Sequence, residues 1–264
     1  MIDVLLPAGG RIAGEFAEEA GVDVKALISI GGRTVLERTL DALRGTGLVR
    51  RAIVIGPDEI AKHTCARAAD AVLPEGGNSG PANILKGIEW LHDTDGGSAD
   101  RVLILTTDLP FLTSDAILRF LNSCPADSDL CAPLVSEAAF TSRFPGSENE
   151  YVRLADGSWT MGCGFLVNPQ AIRANHDHME RVFAARKSQI GMARLLGLGF
   201  IVRFVTRRLT VAHIEQRCAT MLGCSSRAVP GSPPELAFDM DHIGEYRYAT
   251  ALAGAVTDGD GEQL

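Results

Sequence analysis

The chain has 264 residues, of which 46% are hydrophobic and 22% are charged, and its formal net charge is −8. This composition fits a globular protein with a sizeable core, and the length fits one large α/β domain or two small ones. The acidic balance argues against a nucleic-acid-binding protein, which needs a basic face. It does not exclude a small anionic ligand that a few local cations and a metal ion neutralise.

The amino-terminal segment and the cysteines exclude several further classes. Met1 leads directly into the apolar residues 4–6, a stretch that is too short for a signal peptide and lacks a basic start. No run of about 20 apolar residues predicts a membrane-spanning helix. None of the six cysteines forms a Cys-x-x-Cys pair, which argues against a zinc knuckle or a disulfide framework. We expect a cytoplasmic protein without membrane contact, as a monomer or a homodimer.

Strand-like and helix-like segments alternate in the first half of the chain. Apolar runs predict strands at 4–6, 52–56, 71–73 and 101–105, and apolar residues at helical spacing predict helices at 34–44, 58–69, 81–92 and 113–122. This alternation predicts an α/β fold of three layers, α/β/α, with a mostly parallel, Rossmann-like sheet. Ligands of such sheets bind at the carboxyl ends of the strands, so the informative loops follow Leu6, Leu73 and Leu105.

The second half of the chain is less regular. The predicted elements are strands at 131–135, 164–167, 200–205 and 236–241, a hairpin turn at 156–157, helices at 169–175, 178–187, 189–196, 210–222 and 243–253, and a long polar loop at 137–150. No clear linker divides the chain. We therefore expect a single domain over residues 1–264.

The loop after the first strand reads Pro7-Ala8-Gly9-Gly10-Arg11 and is followed by Lys25. Glycines let the backbone approach an anion and present its amide hydrogens, while an arginine and a lysine add fixed positive charge. The motif is neither a P-loop nor a complete dinucleotide fingerprint, and a tight strand-to-loop turn would look the same. The stretch between Arg11 and Lys25 is acidic, so its carboxylates must face water if the loop holds an anion.

Three aspartates are candidates for a metal site. Asp108, preceded by Thr107, follows the most hydrophobic predicted strand, where a carboxylate faces the ligand crevice rather than the core. Asp239 and Asp241 occupy alternate positions of a predicted strand and would point to the same side. Magnesium prefers oxygen ligands and often takes one or two carboxylates together with substrate phosphates. The competing interpretations are a turn or helix cap for Asp108 and an exposed strand end for the other two.

A glycine-rich segment, residues 76–83, lies between a predicted strand and a predicted helix. Such an entry to a helix can wrap a base or a sugar while polar side chains read its edges. The candidates are Asn78, Ser79 and Asn83, with Gly80 between them, although an ordinary loop would look similar. Four signals thus stand in the sequence: the loop after the first strand, Asp108, the pair Asp239 and Asp241, and this segment. Each is modest alone, but one edge of the predicted sheet would gather all four.

Together these motifs resemble those of the MobA-like nucleotidyltransferases. The shared pattern is Leu-x-Ala-Gly-Gly-Arg, then a lysine before Ala-Leu-Ile and Gly-Gly-Arg, and a strand that ends in Thr-Asp-Leu-Pro-Phe-Leu-Thr. The resemblance covers residues 2–122 and returns at 235–246, where Phe-Asp-Met-Asp-His-Ile-Gly-Glu-Tyr is similar to the family's closing aspartate pattern. It implies a fold of the glycosyltransferase-A type. About residues 137–230 resemble an acceptor-side insertion in longer relatives.

The resemblance implies a role for each candidate residue. The nucleotide would contact Pro7, Ala8, Gly9, Gly10, Arg11, Lys25, Asn78, Ser79, Gly80, Asn83, Thr107 and Asp108. Arg11, Lys25 and Asp108 would be catalytic. Magnesium, or manganese, would be held by Asp108 together with Asp239 or Asp241.

The predicted reaction is transfer of a nucleoside monophosphate from a nucleoside triphosphate to a phosphate or hydroxyl acceptor, with release of pyrophosphate. GTP is the first guess and CTP the second, by analogy, and basic segments at 181–187 and 203–208 suggest a small anionic acceptor. Two alternatives stay open: a glycosyltransferase that uses residues 239–241 as its metal motif, and a non-catalytic nucleotide-binding regulatory module. Lys25 together with Asp108 favours an enzyme, and Arg11 together with Lys25 favours a triphosphate.

Overall fold

The computed structural model describes residues 1–77, 79–94, 99–185 and 188–259. Its strands are β1 Ile2–Pro7, β2 Ser29–Ile30, β3 Arg33–Thr34, β4 Val49–Ile55, β5 Ala71–Leu73, β6 Val102–Leu105, β7 Leu130–Ser136, β8 Val152–Leu154, β9 Gly157–Met161, β10 Gly164–Val167 and β11 Ser226–Pro230. Its helices are α1 Glu15–Ala20, α2 Val35–Gly45, α3 Asp58–Lys62, α4 Gly80–Asp93, α5 Ser114–Ser123, α6 Glu137–Arg143, α7 Pro169–Ala174, α8 His176–Ala185, α9 Gln189–Leu196, α10 Leu198–Val205, α11 Val211–Leu222 and α12 Ile243–Gly259. Within these residues no helix is long and apolar enough to cross a membrane.

Nine of the described strands form one mixed sheet in the order β5-β4-β1-β6-β10-β7-β9-β8, with β11 beside β7. The strands β5, β4, β1 and β6 run parallel, which confirms the predicted α/β core. The strand β10 is antiparallel to both β6 and β7. The region of about residues 137–230, which was expected as an insertion, therefore contributes strands to the central sheet. Its helices α7 and α8 pack against α4.

The first strand shows why the sheet is covered on both faces. Val4 and Leu6 pack into the hydrophobic cluster that contains Leu36 of α2, whereas Leu5 packs into the opposite cluster with Ile88 of α4. Neighbouring side chains of a strand point to opposite faces, and all three are fully buried. A strand that is apolar on both faces lies between two helix layers, as the sequence predicted.

Several predicted elements were wrong. Residues 200–205 form part of helix α10 rather than a strand, and α10 packs against α9. The preference of β-branched residues for strands is weak and yields to tertiary packing. The predicted loop 137–150 begins with α6, where the Ser136 hydroxyl accepts a hydrogen bond from the Ala139 amide at 3.2 Å. Residues 58–69 break into α3 and a short 3₁₀ helix at Thr64–Ala68.

The segment before α12 also differs from its prediction. A short 3₁₀ helix, Pro234–Leu236, replaces the predicted strand, and residues 237–241 follow in irregular conformation. Phe238 and Met240 are nevertheless buried, while Asp239 is half-buried and Asp241 is exposed. The apolar residues of this alternating pattern are therefore buried, but they anchor a loop rather than a strand.

A buried carboxylate fastens the amino end of the first strand. Asp3 is fully buried and accepts hydrogen bonds from Arg50 Nε at 2.9 Å, from Arg51 Nη2 at 3.0 Å and from the Ala99 amide at 3.1 Å. Burial opposes the charge of Asp3, but these hydrogen bonds outweigh it and lower its pKa to about 2. The interaction joins β1 to β4 at the sheet edge opposite the candidate site.

Asp3→Asn should lower the free energy of unfolding by about 2 to 4 kcal/mol, because a neutral amide cannot replace ionic bonds in a buried position. A carboxylate whose pKa falls from 3.8 to about 2 on folding stabilises the fold above the higher value. This stabilisation is lost as the pH falls through that window. Urea unfolding followed by circular dichroism at neutral pH and at about pH 3 measures both effects. Equal stability of the two proteins at neutral pH would contradict the assignment.

Candidate functional site

The loop that follows β1 is closed by backbone hydrogen bonds near both of its ends. The amide of Ala8 donates to the Ile55 carbonyl at 2.7 Å, and the amide of Lys25 donates to the Gly10 carbonyl at 2.9 Å. Ala8 is fully buried, so its amide belongs to the sheet rather than to a ligand. The two bonds leave a short arch of backbone, residues 9–11, above the end of the strand.

The arch presents unused donors. Across the described part of the chain, the amides of Gly9, Gly10 and Arg11 make no hydrogen bond. Successive free amides form a concavity that suits an anion. A Cβ on Gly9 would displace the Glu75 carboxylate, and one on Gly10 would lie 3.2 Å from the Lys25 side chain, so the two glycines leave room for these side chains. The backbone of the arch is thus open to a ligand.

Arg11 lies at the outer side of the arch. Its guanidinium is paired with Asp23 at 2.6 Å and with Glu59 at 2.9 Å, and 45% of the side chain is exposed. The hydrogen bond to Glu59 and the charges of both carboxylates raise the pKa of Arg11 against a small effect of burial. Exposed ion pairs of this kind contribute little to stability, so the side chain can turn to a phosphate at small cost.

The two acidic residues of α1 that form ion pairs are directed away from the arch. Glu15 and Glu19 of α1 both pair with Arg247 of α12, at 2.6 Å and 2.5 Å. The hydrogen bond to Arg247 lowers the pKa of Glu19. These two carboxylates therefore hold α12 to the loop, whereas Asp23 pairs with Arg11 at the arch itself.

Three aspartates meet beyond the arch. Asp108, Asp239 and Asp241 each place a carboxylate oxygen within 4.8 Å of the other two. The amide of Met240 donates to the Asp108 carbonyl at 3.1 Å, which joins the two segments. Asp108 Oδ1 is buried and has no hydrogen-bond partner among the described residues. An unsatisfied buried carboxylate oxygen is costly, and oxygen donors at this spacing fit a magnesium or manganese ion.

Asp239 is the innermost acid of this cluster. Burial, reinforced by the charges of Asp108 and Asp241, raises its pKa to about 6. The thiol of Cys163 donates a hydrogen bond to Asp239, and burial together with the nearby carboxylates raises the pKa of this thiol well above its usual value. Cys163 therefore stays protonated and supports the carboxylate rather than acting as a nucleophile.

The ammonium of Lys25 lies among the aspartates. Lys25 Nζ is 3.5 Å from Asp108 Oδ2 and forms a short ion pair with Asp241, and only 13% of the side chain is exposed. Burial opposes the charge, but Asp108 and Asp241 outweigh it and raise the pKa of Lys25. Lys25 therefore remains charged and connects the arch to the acidic cluster. Its ammonium contacts two of the carboxylates that a divalent cation would use.

Thr107 lies between the arch and the aspartates. Its side chain is buried, and its hydroxyl donates a hydrogen bond to the Pro7 carbonyl at 3.2 Å. This bond ties the end of β1 to the segment that carries Asp108. Pro7 and Thr107 therefore set the distance between the arch and the aspartates, and their contact with the nucleotide stays a prediction.

The glycine-rich segment 76–83 is organised by its own hydrogen bonds. Asn83 accepts a bond from the Gly76 amide at 2.7 Å, and Ser79 caps α4 by accepting one from the Ala82 amide at 3.0 Å. Ser79 and Asn83, which were predicted to contact the base, thus shape the loop through their own hydrogen bonds. Asn78 lies outside the described residues.

Two features of this region were missed by sequence reasoning. Helix α8 covers the start of α4, since Ser79 is hydrogen-bonded to Glu180 and the backbone of Gly80 lies against Phe183. Glu75 reaches Gly9 across the mouth of the arch. The sequence signal that could have identified Glu75 is its position two residues after β5, at the carboxyl edge of the sheet.

A cavity of about 620 Å³ opens beside the aspartates and is here called the aspartate cavity. One wall consists of residues 148–150 with the hairpin β8–β9, and the other consists of residues 237–242 with Glu245. None of the described residues of the two basic segments expected to attract an acceptor lines it. Residues 186–187 of the first segment lie outside the described part of the chain. Arg181 lines a separate pocket between α8, α9 and α11, and residues 203–208 are exposed on and after α10.

The mixed sheet, mostly parallel in its core and flanked by helices, is that of a nucleotidyltransferase fold. The sequence profile of the MobA-like NTP transferase domain matches residues 12–197, and the chain belongs to this family. Membership implies a nucleoside triphosphate substrate and a small-molecule acceptor.

Solved structures agree with this family. A hypothetical transferase from Thermus thermophilus shares 31% identity, with a TM-score of 0.80 over 91% of this chain and 97% of that chain. A nucleotidyl transferase from Methanothermobacter has 18% identity and a TM-score of 0.57 over 97% and 99% of the two chains. The 2-C-methyl-D-erythritol 4-phosphate cytidylyltransferase from Thermus thermophilus has 21% identity and a TM-score of 0.54 over 96% and 98%. The last two show similarity of fold alone.

Lys25→Met should increase the affinity of the nucleotide-free protein for Mn²⁺ about tenfold or more, because it removes a competing ammonium from a cluster of three carboxylates, two of which are partly buried. Electron paramagnetic resonance of free Mn²⁺ measures this affinity. Lys62→Met is the matched control, since Lys62 is 78% exposed and pairs with Asp58 on the surface. An unchanged or weaker affinity in Lys25→Met would contradict competition between the lysine and a metal ion.

Proposed function

We propose that the protein transfers a nucleoside monophosphate from a nucleoside triphosphate to a hydroxyl or phosphate group of a small molecule and releases pyrophosphate. One observation carries this proposal: Lys25 joins the open amides of residues 9–11 to the cluster of Asp108, Asp239 and Asp241. Donors for phosphate oxygens and carboxylates for a metal ion thus meet in one place. Such an arrangement stabilises charge rather than forming a covalent intermediate.

The arch would hold the part of the triphosphate that leaves. The amides of residues 9–11 donate to the β- and γ-phosphates, and Arg11 turns from Asp23 and Glu59 towards the same oxygens. The ammonium of Lys25 leaves Asp241 and binds the α-phosphate, where it neutralises the charge that develops during attack. The three aspartates would hold magnesium, or manganese, which when bound supplies further charge neutralisation at the phosphates.

The bonding changes follow from this placement. The acceptor oxygen attacks the α-phosphorus in line, and the bond from that phosphorus to the bridging oxygen of the pyrophosphate breaks. The bonding electrons leave with the pyrophosphate, and the proton of a hydroxyl acceptor passes to water. The acceptor enters through the aspartate cavity, so residues 148–161 form the acceptor side of a single domain over residues 1–264.

The nucleobase is assigned to the space beside Glu75, with guanine first and cytosine second. The Glu75 carboxylate lies against Gly9, at the mouth of the arch and next to the segment 76–83. A carboxylate accepts hydrogen bonds from the ring N–H and the amino group of guanine together, whereas cytosine offers its amino group alone. Two donors fit the two oxygens of one carboxylate.

Asp108→Asn should slow pyrophosphate release by about 100-fold or more, because the change removes the charge that holds the metal while it keeps the size of the side chain. The assay supplies each triphosphate with magnesium and a filtered small-molecule extract as the source of acceptors. Asp115→Asn, on the exposed surface of α5, is the control and should retain full activity.

Two outcomes of the same assay would contradict the proposal. Release of a nucleoside diphosphate from a nucleotide sugar, without pyrophosphate from any triphosphate, would support the glycosyltransferase alternative. Binding of a nucleotide with no product from any acceptor would support a non-catalytic module. Near-normal turnover of Asp108→Asn would contradict the assignment of Asp108 as a metal ligand but would leave the proposed reaction standing.

Among the four triphosphates, GTP with magnesium should raise the melting temperature most, since ligand binding stabilises the folded state by mass action. Glu75→Gln should weaken GTP binding about tenfold, because the amide offers one acceptor where the carboxylate offers two. ATP binding should be unaffected by the same change and serves as the internal control. Equal shifts for all four triphosphates, or an unchanged GTP affinity in the variant, would contradict the base assignment.

A further inference from the structure

We infer that the acceptor bound in the aspartate cavity is a cationic alcohol, with a hydroxyl as its attacking group and an ammonium on the remainder of the molecule. The inference rests on the proposed function for the identity of the cavity as the acceptor site. It reverses the anionic acceptor that the basic segments of the sequence suggested.

The charge of the cavity is the first observation. Its lining includes Glu148, Glu150 and Glu245 in addition to Asp239 and Asp241, and no lysine or arginine among the described residues lines it. A divalent ion on the aspartates would neutralise the inner end of the cavity and leave the three glutamates at the outer end. A phosphate or carboxylate on the acceptor would meet these glutamates as like charges, while an ammonium would be attracted by them.

The apolar side chains of the same cavity are the second, independent observation. Val152 and Met161 of the hairpin β8–β9 are 49% and 62% exposed although both are large apolar residues, and Trp159 lies between them in the lining. Exposed apolar side chains that are rimmed by polar residues mark a ligand-binding groove. An indole beside carboxylates attracts an alkylated ammonium through its ring face as well as through charge.

Hydrogen bonds join the two walls of the cavity. The amide nitrogen of Asn149 donates to the Ala237 carbonyl at 2.9 Å, and its amide oxygen accepts a bond from the Thr160 hydroxyl at 3.2 Å. These bonds hold the segment that carries Glu148 and Glu150 against the segment that carries the aspartates. A site whose walls are fixed in this way loses little of its binding energy to ordering, so its charge pattern acts directly on the choice of acceptor.

The cations that would suit an anionic acceptor lie elsewhere. Arg181, Arg194 and Arg217 line the separate pocket of about 240 Å³ between α8, α9 and α11. None of them lines the aspartate cavity, and Lys25 approaches Asp241 from the arch on the other side of the cluster. Of the two pockets, the aspartate cavity is the one with candidate metal ligands in its wall, so its charge decides which acceptors approach the reacting phosphate.

A charge series of equal shape tests the inference. The probes are choline, the uncharged alcohol in which carbon replaces its nitrogen, and the hydroxy acid in which a carboxylate replaces one methyl group of that uncharged alcohol. The chain has two tryptophans, so Trp90→Phe leaves Trp159 as the sole indole reporter, within the cavity. Fluorescence titrations are made with magnesium and without nucleotide. Trp159→Phe provides the blank.

Choline should bind about tenfold more tightly than the uncharged alcohol, and the acid should bind more weakly than either, since each step changes charge at constant shape. The double variant Glu148→Gln with Glu150→Gln should reduce the preference for choline to about threefold or less. Asp127→Asn is the control, since this exposed residue precedes the opposite, amino-terminal end of β7 and should leave the preference unchanged.

Three results would overturn the inference: binding of the acid as tight as that of choline, equal binding of all three probes, or no binding of choline. If Trp90→Phe does not fold, calorimetric titration of the unaltered chain and of the double glutamate variant with the same probes gives the same decision. The measurement contains no nucleotide, so its failure leaves the pyrophosphate assay standing. A correct order of binding without pyrophosphate release from any triphosphate would instead reject the proposed function.

Discussion

Electrostatic repulsion among three carboxylates is the constraint on which the candidate site depends. Asp108, Asp239 and Asp241 lie within 4.8 Å of one another, and such a group is stable only beside a positive charge. In this structure that charge is the ammonium of Lys25, which is itself largely buried. The same ion pairs hold the loop after β1 against the carboxylates. A single lysine therefore offsets part of the charge of the three aspartates and holds the loop of the arch beside them.

The protein scaffold brings these groups together with neutral contacts. The strands β1 and β6 are parallel neighbours, and the hydroxyl of Thr107 fastens their carboxyl ends to each other. Phe238 anchors the segment that carries Asp239 and Asp241. Its ring centroid lies 4.8 Å from those of both Phe111 and Phe144. An aromatic core thus fixes a charged loop that has no strand to support it. Because apolar packing stabilises this loop, carboxylates that repel one another can be held close.

The sequence predicts what is periodic or local. The buried strands and the helix α5 follow from alternation and spacing, and the structure confirms them. Long-range contacts are not encoded in this way. Nothing in the neighbourhood of Ala8 shows that its amide bonds to Ile55, and nothing in residues 200–205 shows that they pack as a helix against α9.

The site residues show the same division. The pairing of Lys25 with Asp108 joins residues that are far apart in the chain. The sequence placed both of them at one edge of the sheet, but it did not indicate that their charges pair. The charge of the aspartate cavity escaped prediction for a related reason. Glu148 and Glu150 lie in a segment assigned to a polar loop, Trp159 lies on a hairpin, and only the folded chain places them in one wall. Basic residues were conspicuous in the sequence, yet they line other surfaces.

A crystal structure of the protein with GTP and Mn²⁺ tests the central claim most directly. The account predicts an anomalous manganese peak in contact with Asp108 and at least one of Asp239 and Asp241, the triphosphate on the amides of residues 9–11, and Lys25 moved from Asp241 to a phosphate oxygen. A nucleotide bound away from the arch, or a Lys25 ammonium still paired with Asp241 beside a bound triphosphate, would contradict it.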